Sequence, residues 1–261
     1  MAQQRAQPAG AEGARSQFDA YQRRRHPKVS VAVAREIVGG IVRGDLKPGS
    51  KLPSESAMVE QYGVGRATLR EALRILEVLG IIQMRSGPGG GPVVTGAGVE
   101  EFGSVATAYF KLTGATYRDL VEARLAIEPL LARLAAERED HKSVATQMVE
   151  STRMAKDPDL HDEQWASTAN DFHTHLSTLS GNPIIDLVAG ALKAVWFDRV
   201  VGTVFPGQER AKVVDDHAHI ADAIGKGNAV RAEKLMRAHM QEFLEYSILR
   251  YPGMLDEVID W

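Results

Sequence analysis

The chain contains no cysteine. That absence removes disulfides, thiolate zinc sites, iron–sulfur clusters and cysteine nucleophiles together. It also lacks any run of about 18 apolar residues, so no membrane span is expected. Arginines near the N-terminus are not followed by an apolar h-region, which argues against a secretory signal. The expected compartment is therefore the cytoplasm. The catalytic signatures HExxH, GxSxG and the Walker loop are missing as well, and the expectation is a protein that is not an enzyme.

What is present is a chain of 261 residues, long enough for one large domain or two ordinary ones. Its net charge of −3 hides an asymmetry. Residues 1–98 carry 14 Lys+Arg against 8 Asp+Glu, a net of +6, and residues 99–261 carry 17 against 26, a net of −9. A basic front suits a polyanionic partner, and an acidic back suits some other task. Charge drift along a chain gives the same asymmetry without any partner, so the pattern of residues has to decide.

Residues 1–27 have no apolar period and read as a mobile basic arm ending in Arg23, Arg24, Arg25 and His26. From Val31 the pattern is helical, with Val33, Ile37 and Ile41 on one face and Gly44 as its stop. The turn Leu46-Lys47-Pro48-Gly49 follows. Ser54 then caps a short helix that ends at Gly63. A third helix is expected from Arg66 to about Leu79, with Leu69, Leu73 and Leu76 inward and Gly80 as its stop. Ile81–Arg85 reads as a strand, Ser86–Pro92 as a Gly/Pro loop, and Val93–Val94 as a returning strand. Three helices and a hairpin over 28–96 make a winged helix-turn-helix.

Residues 97–103 read as a linker. Beyond it the chain is helical almost throughout, with helices expected near 104–112, 117–138, 142–155, 162–180, 184–203, 208–225 and 228–249. Gly114, Asp157-Pro158, Gly181-Asn182-Pro183, Pro206-Gly207 and Gly225–Gly227 separate them. The fold class is thus mainly α: a winged helix-turn-helix, then an all-α bundle of six or seven helices over 104–250, then a tail over 251–261.

The third helix sets Arg66, Arg70 and Arg74 at i, i+4 and i+8, opposite its leucine stripe. An arginine near the start of such a helix can fork onto guanine O6 and N7 while its neighbours grip phosphates. Thr68 adds a short polar group. The glycine-rich wing has little side-chain bulk to keep its backbone from a groove or phosphate. The ordinary alternative is a solvated arginine face on a surface helix.

Eight histidines are present, and helical phase sorts them. His173 lies in line with Ala169, Phe172 and Leu176, and His217 with Val213, Ile220 and Ile224. His239 lies among Leu235, Met236, Met240 and Phe243. Three imidazoles therefore point inward from three helices, whereas His175 and His219 fall on the far side and are expected to meet solvent. Three converging imidazoles suit Zn²⁺ or a similar divalent ion. The alternative is three core histidines with structural roles. Arg124 is inward too, in line with Leu120, Ile127 and Leu131. A buried guanidinium needs an anion. An effector carboxylate and Glu128, four residues on, are equally good partners. Phe172, Trp196, Met236 and Met240 are expected to line the pocket.

The stretch GDLKPGSKLPSESAMVEQYGVGRATLREALRILEVLGII resembles the DNA-binding domain of the GntR family of bacterial transcription regulators. The turn Gly-x-Leu-x-Pro-Gly, the helix start Leu-Pro-Ser-Glu and the helix Arg-x-Thr-Leu-Arg-Glu-Ala-Leu carry the resemblance in order. It implies base contact by Arg66, with Ser54, Thr68, Arg70, Arg74 and the wing tip at Gly87 also facing DNA. Gly65 departs from the family's Ser or Thr before that arginine, which removes a cap or a phosphate contact.

The segments EARLAIEPLLARLAAER, FHTHLSTLSGNP, DHAHIADAI and NAVRAEKLMRAHM resemble the all-helical FCD effector domain of the same family's fatty-acid-regulator branch. That resemblance implies a metal held by His173, His217 and His239, with an Asp or Asn one turn before the first. Here that position is Ala169; Asn170 reaches the same face, and Asp171 points elsewhere. Together these readings imply an effector-responsive repressor that binds a two-fold DNA operator as a homodimer. A small organic acid or acyl effector would be held by Arg124 and a metal, zinc in the first instance. A reading from another class is a metal-dependent hydrolase, with Asp216 and His217 activating water, attached to a nucleic-acid-binding domain.

Overall fold

The computed structural model describes residues 28–260 other than 88, 97, 158 and 201–206, with side chains at all of these except 197–200 and 207–209. The arm read over 1–27 lies outside the described residues. The chain forms two compact units, one ending at Gly96 and the other running on to the C-terminus.

In the first unit, α1 (Val29–Arg43), α2 (Glu55–Tyr62) and α3 (Arg66–Val78) precede the strands β1 (Ile82–Arg85) and β2 (Gly91–Val94). The strands pair antiparallel, from Ile82 opposite Val94 to Arg85 opposite Gly91. The segment after α1 runs beside β2, with Gly49 N–H donating to Val94 C=O at 2.7 Å and Leu52 N–H to Pro92 C=O at 2.9 Å. Ile37, Met58, Leu69, Leu73, Leu76 and Ile82 form the core, each at most 2% exposed. The stripe on α3 is thus the expected one, and it leaves the arginine face outside.

Local chemistry sets the ends of these helices. Ser54 Oγ accepts from Ala57 N–H at 3.3 Å and so caps α2, while Gly63 closes α2 in a left-handed turn at φ 61°. Gly65 precedes α3 with no side-chain cap, as a residue without a hydroxyl must.

The second unit is helical: α4 (Val99–Thr113), α5 (Tyr117–Glu137), α6 (His141–Met154), α7 (Asp162–Thr178), α8 (Pro183–Val200), α9 (Gly207–Gly225), α10 (Ala229–Arg250) and α11 (Pro252–Leu255). Thr116 and Asp119 make a reciprocal capping box at the start of α5, with Thr116 N–H donating to the Asp119 carboxylate at 2.8 Å. Leu131, Phe172, Leu176, Ile220, Ile224 and Met236 fill one core. Tyr117, Leu120, Trp196 and Leu255 anchor a second.

Two boundaries differ from the sequence reading. The expected linker over 97–103 is mostly helix, because Gly98 takes an extended cap conformation and α4 begins at Val99. Glu100 and Glu101 then sit in the first turn, where the helix dipole favours acids. The expected tail over 251–261 is packed rather than loose. α11 buries Leu255, Ile259 N–H donates to Ala115 C=O at 2.9 Å, and Ile259 is 1% exposed. Apolar residues at 255 and 259 provide the burial that secures it.

Candidate functional site

α7, α9 and α10 bring His173, His217 and His239 together. One ring nitrogen from each lies within 4.8 Å of the others. Nε2 of His217 is 3.3 Å from Nε2 of His239. His217 is 1% and His239 7% exposed, and His173 is close behind. Phe172 lies flat against His217 with ring centroids 3.9 Å apart, which fixes that imidazole's plane.

Carboxylates orient two of the three rings. Glu128 of α5 contacts Nδ1 of His173, and Asp216 lies 3.4 Å from Nδ1 of His239. Lys212 in turn holds Asp216 at 3.0 Å and also pairs with Glu242 on α10. A carboxylate on Nδ1 selects the tautomer and leaves the other ring nitrogen for a ligand.

Protonation follows burial. Desolvation holds His173 below the usual imidazole range, and desolvation with two neighbouring imidazoles pushes His217 well below it. Burial raises Glu128, but the Arg124 guanidinium and the His173 contacts outweigh it and bring its pKa to about 2. The Arg124 guanidinium is the largest of the influences that lower it. Burial likewise raises Asp216, and hydrogen bonds from His239 and Lys212 more than reverse it.

Two ring nitrogens face each other, and Nδ1 of His217 is buried with no hydrogen-bond partner. Buried imidazoles from three helices, two of them beside carboxylates, fit a divalent ion with nitrogen affinity. They can hold a metal.

A cavity of about 80 Å³ opens beside the three histidines. Trp165, Trp196, Val213, Met240 and Phe243 supply its apolar wall, while Ala169, Asn170 and Arg124 also face it. Ala169, where the resemblance calls for an acid, lines the cavity and offers no ligand atom. Asn170 lines the cavity together with the three histidines.

Three sequence expectations need correction. Phe172 and Met236 do not line the cavity; both are fully buried in the core behind it. His175 does not meet solvent freely. It is half-buried with an unpartnered Nδ1, because α5, α6, α8 and α9 all pack against α7. His219 is exposed as expected. For Arg124, left open between two partners, the structure has the intrachain one: Nε donates to Glu128 at 2.7 Å, and both side chains are buried. The role of Glu128 on His173 was missed. Its signal was a second inward polar residue one turn after Arg124, on the face of Leu120 and Leu131.

On the first unit, Arg66, Arg70 and Arg74 are all exposed along α3, and Thr68 is half-buried. Arg70 is engaged, its Nε donating to Glu55 on α2 at 2.9 Å. Gly87 is exposed at φ 95° in the wing. Gly90 has no room for a side chain, since a Cβ there would come 2.2 Å from the Arg85 carbonyl oxygen. Lys51, not singled out in the sequence, ties down the wing by donating to Gly89 C=O at 2.9 Å.

Residues 30–90 match the description "Bacterial regulatory proteins, gntR family", and residues 119–242 match the FCD domain. Across both regions the chain is 30% identical over 217 residues to a Mycobacterium gastri protein named as the HTH-type transcriptional regulator RmpR, covering 80% of this chain and 77% of that one. The chain belongs to the GntR family. It is a transcription regulator with an FCD domain, and not an enzyme, which removes the hydrolase reading. Mce2R of Mycobacterium tuberculosis is 28% identical over 208 residues, 77% of this chain and 84% of the relative. The solved structure of Streptococcus agalactiae GntR shares the fold at a TM-score of 0.65 and 24% identity, covering 83% of this chain and 99% of its own.

Proposed function

We propose that this GntR regulator is a cytoplasmic repressor that binds a two-fold operator as a homodimer and is released by a small organic acid. The acid occupies the cavity beside His173, His217 and His239, where these three residues hold one zinc ion. The observation that carries the reading is the convergence of three buried imidazoles on a cavity that Ala169 also lines. When bound, the metal supplies a Lewis-acidic anchor for an anionic ligand. The chain's own residues orient the imidazoles, through Glu128 and Asp216, and exclude water with an aromatic wall.

On the DNA side, Arg66 reads a base edge from the first position of α3, and Arg74 and the Gly87 wing tip meet the backbone. Arg70 reaches a phosphate from its seat on Glu55, while Thr68 and the Ser54 cap lie at the same surface. One short recognition helix discriminates little, so two half-sites in a dimer are expected. Ligand binding then acts by favouring one pose of the two DNA-binding domains.

Selection of operator fragments with the zinc-loaded full chain, followed by sedimentation of the complex, tests this. The expected result is a dimer on a two-fold sequence. A monomer that binds the same DNA with undiminished affinity would overturn it.

A further inference from the structure

The wing between β1 and β2 is built almost entirely from backbone. Its sequence over 87–91 is Gly-Pro-Gly-Gly-Gly. Gly87, Gly89 and Gly91 take φ of 95°, 76° and 129°, where an L side chain is strained. Gly90 N–H donates to Gly87 C=O at 2.9 Å and closes the turn. Glycine loses more conformational freedom on ordering than any other residue. A single contact that fixes such a loop therefore changes its populations directly.

Lys51 supplies such a contact from the segment that pairs with the other edge of β2. Its backbone is anchored on both flanks. Val94 N–H donates to Ser50 C=O and Leu52 N–H to Pro92 C=O, each at 2.9 Å, and Lys51 itself bridges Val93. From that fixed base its ammonium donates to Gly89 C=O at 2.9 Å, a residue 38 positions further along the chain.

We infer that Lys51 is a positioning residue for DNA binding: it holds the glycine wing in the conformation that meets DNA beside α3. The inference rests on the proposed contact of the Gly87 wing tip with the DNA backbone. A wing free to move is competent for only a fraction of the time, and the apparent Kd rises by the inverse of that fraction. Lys51 raises the fraction before DNA arrives. Its contribution is preorganisation of the loop rather than a phosphate contact of its own.

The test is Lys51→Met in the full chain, which keeps the stem and removes the donor. Trypsin cutting of the free protein after Arg85, the last residue of β1, should become about fivefold to tenfold faster. Affinity for the selected operator should fall by a similar factor. Gly90→Ala provides a second background, because the added Cβ would lie 2.2 Å from the Arg85 carbonyl oxygen and displace the wing. In that background Lys51→Met should cost less than about twofold in affinity. An equal loss in both backgrounds would make Lys51 an independent phosphate contact and overturn the inference. Unchanged cutting overturns the tether, and faster cutting with undiminished affinity overturns its part in DNA binding. A chain that selects no DNA overturns the wing reading beneath the inference, a failure that cutting of the free protein does not share. Should Gly90→Ala fail to fold, the salt dependence of the single variant decides. An unchanged slope supports positioning, and a slope reduced by about one overturns it.

Discussion

Nε2 of His217 on α9 and Nε2 of His239 on α10 lie 3.3 Å apart inside the helical unit. One ring can donate its Nε2–H to the other, and a divalent ion ligated by both nitrogens would replace that hydrogen bond. His173 stands within reach of the same point. If the proposed ion bridges these helices, chelation should loosen the unit. At a free-metal concentration of about a hundred times Kd, bound metal contributes about 2.7 kcal/mol, or roughly 5–10 °C in Tm for a unit of this size. His239→Ala should lower Tm and abolish its response to chelator. Identical melting curves with and without chelator for the unsubstituted protein would show that no metal bridges these helices.

Arg66 has no intrachain ion pair among the described residues, whereas Arg70 is held by Glu55. Arg66→Ala should cost about 1–3 kcal/mol per half-site of base discrimination and leave melting unchanged. Glu55→Gln should weaken binding to all sequences alike, since it releases a phosphate-facing side chain without altering base contact. Competition assays with matched and mismatched operators separate the two effects. Full operator preference in the Arg66 variant would remove it from base reading.

Arg124 and Glu128 form a buried pair one helical turn apart, with side chains 5% and 7% exposed. Removing one partner leaves an uncompensated charge, so Glu128→Ala should destabilise by about 3–5 kcal/mol. Replacing both with leucine should cost far less, because no charge remains to be desolvated. Urea midpoints of the two variants check this, and equal losses in both would contradict it.

In metal-free protein the same site makes stability depend on pH. His173 and His217 are held below their ordinary value, so between that value and their folded pKa the unfolded chain binds more protons. Stability should be flat above about pH 7 and fall as pH drops through about 6.5. Glu128 adds to the loss only in stronger acid, as pH falls from about 4.3 towards its folded pKa of about 2. Urea midpoints in chelator at pH 7.5 and 5.5 read the histidine part. A higher midpoint at the lower pH would reverse the assignment of burial as the cause.

The DNA-binding unit was legible almost residue by residue. Leu69, Leu73 and Leu76 recur at helical spacing, Ser54 and Gly63 terminate α2 by local chemistry, and Arg66, Arg70 and Arg74 are left outside as a consequence. Each signal spans a few neighbouring residues, so period and capping suffice to read it. The inward phase of the three histidines was legible for the same reason. The packed C-terminus was not, because the burial of Leu255 and Ile259 depends on partners more than a hundred residues earlier in the chain.

Sequence alone determined the inward phase of the leucine stripe of α3 and of His173, His217 and His239, since that follows from 3.6 residues per turn. Only the tertiary structure decided which of them meet. It set Glu128 against both Arg124 and His173, left His175 half-buried, and put Trp165 and Trp196 at one cavity wall. Helical phase is a property of a single segment. Contact between α5, α7, α9 and α10 depends on how far each is shifted along and rotated about its neighbours, and no local period carries that information.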